Sequence, residues 1–124
     1  MKSLTPNIKV KSITRSLAFY RDILGFETMM KNPENDPVWM MLGKGNALIM
    51  LQQEESIDEE YPALKGKSGG ALTFFIQVDD IDSLYERVKG NADLVKPLAA
   101  TPYGKREFAV QDPDGFILTF AGEI

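Results

Sequence analysis

Hydrophobic and polar residues alternate most regularly in two stretches of the chain. In Lys105 to Phe120, Phe108 and Val110 alternate with Glu107, Ala109 and Gln111, Asp112-Pro113-Asp114-Gly115 interrupts, and Phe116 to Phe120 resumes the run. Alternation sends successive side chains to opposite faces of a strand, proline presets φ at the first turn position and glycine accepts φ > 0 at the last, so the stretch predicts a β-hairpin. Trp39 to Leu51, WMMLGKGNALIML, is an earlier copy of it.

The elements before each hairpin also repeat. Leu4 to Val10 predicts a strand with Pro6, Ile8 and Val10 on one face and Thr5, Asn7 and Lys9 on the other. Thr14 to Leu24 predicts a helix whose buried stripe is Leu17, Tyr20, Ile23 and Leu24, capped by Ser12 or Thr14 and stopped by Gly25, with Arg15, Arg21 and Asp22 outward. A strand over Phe26 to Met30 and a loop over Lys31 to Pro37 follow. From Ala71 the pattern restarts: Leu72, Phe74, Ile76 and Val78 alternate with Thr73, Phe75 and Gln77, and Asp79 or Asp80 caps a helix from Ile81 to about Lys89. Gly90-Asn91 ends that helix, and Leu94 to Pro97 predicts a short strand.

Thr5 and Thr73, Ile8 and Ile76, Val10 and Val78, and Leu42 and Val110 all stand 68 residues apart, while Leu51 and Phe120 stand 69 apart across the longer second turn. A constant offset through four elements marks an internal duplication. The predicted class is therefore α+β: one domain over residues 1–124, built of tandem βαβββ units at 1–52 and 71–124. The segment 53–70 reads as a linker. Its carboxylates, Glu54, Glu55, Asp58, Glu59 and Glu60, are expected to be solvated, and Gly66-Lys67-Ser68-Gly69-Gly70 to be a flexible connector without the spacing of a phosphate loop.

Composition narrows the chemistry. The chain has 44% hydrophobic and 26% charged residues, as a soluble globular protein has. No window approaches the ~20 apolar residues of a membrane span, and the polar N-terminus lacks a secretory core, so a cytoplasmic protein without a membrane partner is expected. No cysteine and no histidine occur. Disulfides, thiolate nucleophiles, catalytic triads and imidazole-based metal sites are excluded on that ground. A net charge of -4 gives no reason to expect nucleic acid.

The most specific stretches are Ser16-Leu17-Ala18-Phe19-Tyr20-Arg21-Asp22 with Leu24-Gly25-Phe26, Val78-Asp79-Asp80-Ile81, and Tyr103-Gly104 leading through Arg106 to Asp112-Pro113-Asp114-Gly115. With the tandem βαβββ pattern, they resemble the glyoxalase, bleomycin-resistance and extradiol dioxygenase (vicinal oxygen chelate) superfamily over nearly the whole chain. The resemblance implies curled mixed sheets around a cleft, helices on the convex side, and a homodimer. Metal-dependent members of that family carry ligands at four symmetric positions, which here are Thr5, Met50, Thr73 and Thr119. Hydroxyls and a thioether are poor ligands for a divalent ion that wants carboxylate or imidazole, so neither metal nor cofactor is expected. Glu107 with Asn7 is the remaining way to hold an ion, and Asp112 and Asp114 are expected to form a turn rather than a calcium site.

By alternation, Thr5, Asn7, Trp39, Met41, Leu48, Met50, Thr73, Phe75, Glu107, Ala109, Ile117 and Thr119 face inward, and Tyr103 stands at the rim. Asn7, Trp39, Met41, Leu48, Met50, Thr73, Phe75, Tyr103, Glu107 and Thr119 are the candidate ligand-binding residues. Trp39 and Phe75 offer rings to stack on and the methionines adapt to irregular shapes, although the same residues would equally serve as core. The leading expectation is a protein that binds a small, partly apolar or aromatic molecule without transforming it. A metal-free lyase or isomerase would need Glu107 as its base, because a carboxylate serves near neutral pH only where burial disfavours its charge. A metal-dependent lyase or dioxygenase with atypical ligands, and an interaction subunit with a filled cleft, complete the alternatives.

Overall fold

The computed structural model describes residues 1–123. They divide into two compact units, Met1–Gly69 and a second from Gly70 onward. The first contains β1 (Asn7–Val10), α1 (Ile13–Leu17), a π-helical turn (Ala18–Ile23), β2 (Glu27–Asn32), β3 (Trp39–Lys44), β4 (Ala47–Gln53) and α2 (Glu54–Glu60). The second contains β5 (Thr73–Gln77), α3 (Ile81–Val88), β6 (Asp93–Ala100), β7 (Lys105–Gln111) and β8 (Ile117–Glu123). Both are βαβββ units of an α+β protein. No helix among the described residues is long and apolar enough to cross a membrane.

The duplication extends to hydrogen-bond register. The sheets have the orders β1-β4-β3-β2 and β5-β8-β7-β6, each with one parallel pair at its edge. Ile8 lies opposite Leu51 as Ile76 lies opposite Phe120, and Met41 opposite Met50 as Ala109 opposite Thr119. Even the irregularities correspond. β2 slips register between Thr28 and Met30 against Leu42 and Met41, and β6 slips between Leu94 and Lys96 against the equivalent Val110 and Ala109.

Each sheet buries its large apolar side chains on one face. In the second, Phe108 stacks on Phe120 at 5.2 Å and meets Tyr85 of α3 edge-on at 5.1 Å. Burying a side chain of this size contributes about 1.5–3 kcal/mol. The N-cap of α3 is Asp80, whose carboxylate accepts from the Ser83 hydroxyl and backbone N–H, and these bonds hold its pKa below the ordinary value. In the first sheet Met40, Leu42, Ile49 and Leu51 are buried on one face, and Lys44 on that face donates to the Leu24 carbonyl at the end of the helical segment.

Several elements depart from the sequence reading. Ser12 caps α1, but the expected Thr14 to Leu24 helix widens into π geometry from Ala18, where Leu24 N–H donates to Phe19 O at 3.1 Å. The wider turn buries both Phe19 and Tyr20, their rings 4.9 Å apart, where a 3.6-residue stripe leaves Phe19 out. Gly25 takes the expected left-handed conformation at φ 83. β2 runs into the expected loop as far as Asn32, and β6 extends to Ala100 through Pro97, which an edge strand tolerates because one row of its N–H groups has no ladder partner. The largest correction concerns the acidic segment. Residues 54–60 form α2 with Ile57 buried, and a 3₁₀ turn covers Pro62–Leu64, where a solvated linker was expected. Only the glycines after it fit a connector.

Helix α3 sits so close to β8 that a Cβ on Gly122 would lie 2.7 Å from Ile81 Cβ. Gly122→Ala is therefore expected to lower unfolding free energy by about 1–3 kcal/mol. Gly90→Ala, where a Cβ meets nothing within 4 Å, should be near neutral; urea denaturation of both variants checks the contrast.

Candidate functional site

Directly opposed residues of neighbouring strands share a face, so the register sorts the candidate residues into rows. On the first sheet, the face turned away from α1 carries Asn7, Met50, Met41 and Met30 in one row. The next row is Lys9, Gln52, Trp39 and Asn32, and Leu48 stands opposite Gly43 on the other side. On the second sheet, the face turned away from α3 carries Phe75, Thr119, Ala109 and Lys96 in the equivalent row. Gln77, Ala121, Glu107 and Ala99 form the row beside it, and Thr73 lies opposite Ile117. Alternation thus assigned these residues to the correct faces.

Their surroundings differ. Phe75 is 53% exposed and Thr73 is exposed, whereas Trp39, Met41, Met50 and Thr119 are half-buried. Asn7 does not stand free: its amide donates to Gln52 Oε1 at 2.8 Å, and Gln52 Nε2 donates to Ser56 Oγ and Glu60 Oε1 of α2, each at 3.0 Å. Lys9 pairs with Asp58 and donates to the Leu64 carbonyl. The acidic segment is therefore held on this sheet because buried Lys9 and Gln52 need partners once they leave water. Asn7 Oδ1 is buried with no hydrogen-bond partner among the described residues.

Glu107 is 4% exposed although it lies on the face away from α3. The Tyr103 hydroxyl donates to its Oε2, and Lys96 Nζ stands 3.8 Å from Oε1. Tyr103 reaches it from a tight turn in which Thr101 exchanges hydrogen bonds with Lys105 and Gly104 adopts φ 83. The bond to Glu107, with partial desolvation, holds the Tyr103 phenol above its ordinary pKa. Tyr103 is thus a proton donor at neutral pH, and a base at Glu107 would have to shed it to reach a substrate proton.

Sequence reasoning brought Tyr103 and Glu107 into the candidate set separately. It missed their bond, and it missed Lys9, Gln52, Lys96 and Met30. Lys9 and Gln52 were legible by alternation. Lys96 and Met30 were not, because the register slips in β6 and β2 turn them to the face that simple alternation denies them.

The four positions to which the resemblance assigned metal ligands carry neither carboxylate nor imidazole. Thr5 precedes β1, Thr73 opens β5, and Met50 and Thr119 lie within β4 and β8, giving three hydroxyls and a thioether. No group of three or more carboxylates among the described residues is placed to hold an ion. Asp112 is occupied with its turn: its Oδ1 accepts from the N–H groups of Asp114 and Phe116, both at 2.8 Å.

The sequence pattern of the glyoxalase/bleomycin resistance protein/dioxygenase superfamily matches residues 4–120. The chain belongs to that superfamily. A bleomycin resistance protein of Geobacillus stearothermophilus is 28% identical to it, the match covering 96% of this chain and 95% of that one. Two solved structures share the fold at TM-score 0.82. One is a protein of unknown function from Agrobacterium tumefaciens, 23% identical, covering 100% of this chain and 95% of that chain. The other is a glyoxalase-related enzyme from Fulvimarina pelagi, 20% identical, covering 99% and 89% respectively.

The Tyr103 bond gives a pH test. A phenol whose folded pKa is raised contributes stability that is complete below its unfolded value of about 10 and is lost as pH rises through the folded value. The stability difference between the parent and Tyr103→Phe should shrink on going above about pH 10, and the variant should lose the highest-pH component of phenolate absorbance. An unchanged phenolate titration would show that Tyr103 is not the perturbed group.

Proposed function

We propose that this superfamily member binds a small, partly apolar or aromatic molecule on the face of the second sheet turned away from α3, and retains it without metal and without turnover. Phe75 carries the reading. It stands 53% exposed on a strand, beside Thr119 and Ala109 in one row, where a flat molecule can stack on it with a hydroxyl in reach. The donor chemistry at the four positions that the resemblance implies for metal weighs against a divalent ion, and the relative named a bleomycin resistance protein supports a small organic ligand. The reading includes a homodimer working in the cytoplasm.

Thermal unfolding of the purified protein, alone and with panels of divalent metals, aromatic antibiotics and small metabolites, tests it. A ligand at ~100 times its Kd adds about 2.7 kcal/mol. An organic compound that stabilises the parent and loses most of that effect in Phe75→Ala is the expected result. A shift with Mn²⁺, Ni²⁺ or Zn²⁺ and none with any organic compound would overturn the reading. Sedimentation equilibrium at micromolar concentration should give twice the chain mass; a stable monomer removes the dimer.

A further inference from the structure

We propose that Glu107 anchors a cationic nitrogen of the bound molecule, an amidinium or protonated amine carried on a flat apolar body, by exchange with the Tyr103 hydroxyl. This rests on the ligand-binding reading above and names the charge of its ligand.

Glu107 is a buried carboxylate with an incomplete set of partners. Its register neighbours Ala99 and Ala121, and Ala109 two places along its own strand, carry no polar side-chain atom that could pair with it. Among the described residues, what reaches it is one neutral hydroxyl from Tyr103 and the Lys96 ammonium at 3.8 Å, beyond hydrogen-bond distance. A carboxylate has two oxygens and room for bidentate, charge-assisted bonds, which are about twice as strong as a bond from a neutral donor. An amidinium supplies both at once. The groups now covering Glu107 can give way, because Tyr103 is 63% exposed on its turn and Lys96 is 60% exposed on an edge strand.

The body of such a molecule has a platform beside the anchor. The row next to Glu107 runs through buried Ala109 and half-buried Thr119 to the exposed ring of Phe75. A cation seated on Glu107 can therefore extend its apolar part across β7 and β8 toward Phe75. The net charge of -4 favours approach of a cation over that of an anion of the same shape. While Tyr103 occupies Glu107 only a fraction of the protein is competent, and apparent affinity is reduced by that fraction.

Calorimetric titration of the full chain with naphthamidine and naphthamide, which match in shape and differ in charge, tests the assignment. The parent should bind the amidine about tenfold or more tightly than the amide. Glu107→Gln should abolish that preference and leave amide affinity unchanged, while Tyr103→Phe should tighten the amidine several-fold and leave the amide alone. Equal binding of the two probes to the parent, or a preference that survives Glu107→Gln, overturns the anchor while leaving the ligand-binding reading in place. Binding of neither probe also overturns it. Should Glu107→Gln fail to fold, Tyr103→Phe decides: an amidine affinity no tighter than the parent's removes the proposal.

Discussion

Closing α3 onto the second sheet sets Tyr85 against Phe108, which stacks on Phe120, and brings Ile81 to the backbone at Gly122. That contact decides where every other side chain of the sheet points. Once Phe108, Val110, Leu118 and Phe120 are committed to the helix, the period of two forces Glu107, Ala109 and Thr119 to the opposite face. A one-residue slip would exchange the two sets, so the same apolar burial that holds the unit together fixes its chemistry. In the first unit Met40, Leu42, Ile49 and Leu51 impose the same choice on Asn7, Met41 and Met50.

The duplicated units have diverged on the face their cores leave over. The first unit's polar residues there, Lys9, Asn7 and Gln52, are answered by α2 through Asp58, Ser56 and Glu60. The second unit's buried carboxylate, Glu107, is answered by a single tyrosine from a hairpin turn and a lysine at a distance.

Without histidine or cysteine, the protein has carboxylates, amides, hydroxyls, amines, guanidiniums, thioethers and rings to recognise a ligand. The family's metal positions hold threonine and methionine, which bind organic molecules by contact and hydrogen bonding far better than they bind a hard cation. Function follows the side chains on the scaffold, and the scaffold alone does not specify it.

The sequence by itself determined the βαβββ repeat, the turn at Asp112 to Gly115 and the face on which most candidate residues lie. All of these follow from local periodicity and turn chemistry, which act within a few residues. Tertiary structure alone decided three things. The π turn over Ala18–Ile23 buries Phe19 with Tyr20, because packing against the sheet outweighs ordinary helical spacing. The acidic segment folds as α2, because Lys9 and Gln52, more than forty residues away in sequence for Asp58 and Lys9, need partners when buried. Register slips in β2 and β6 turn Met30 and Lys96 onto the candidate face, since a bulge is a property of two paired strands and leaves no mark in the alternation of one.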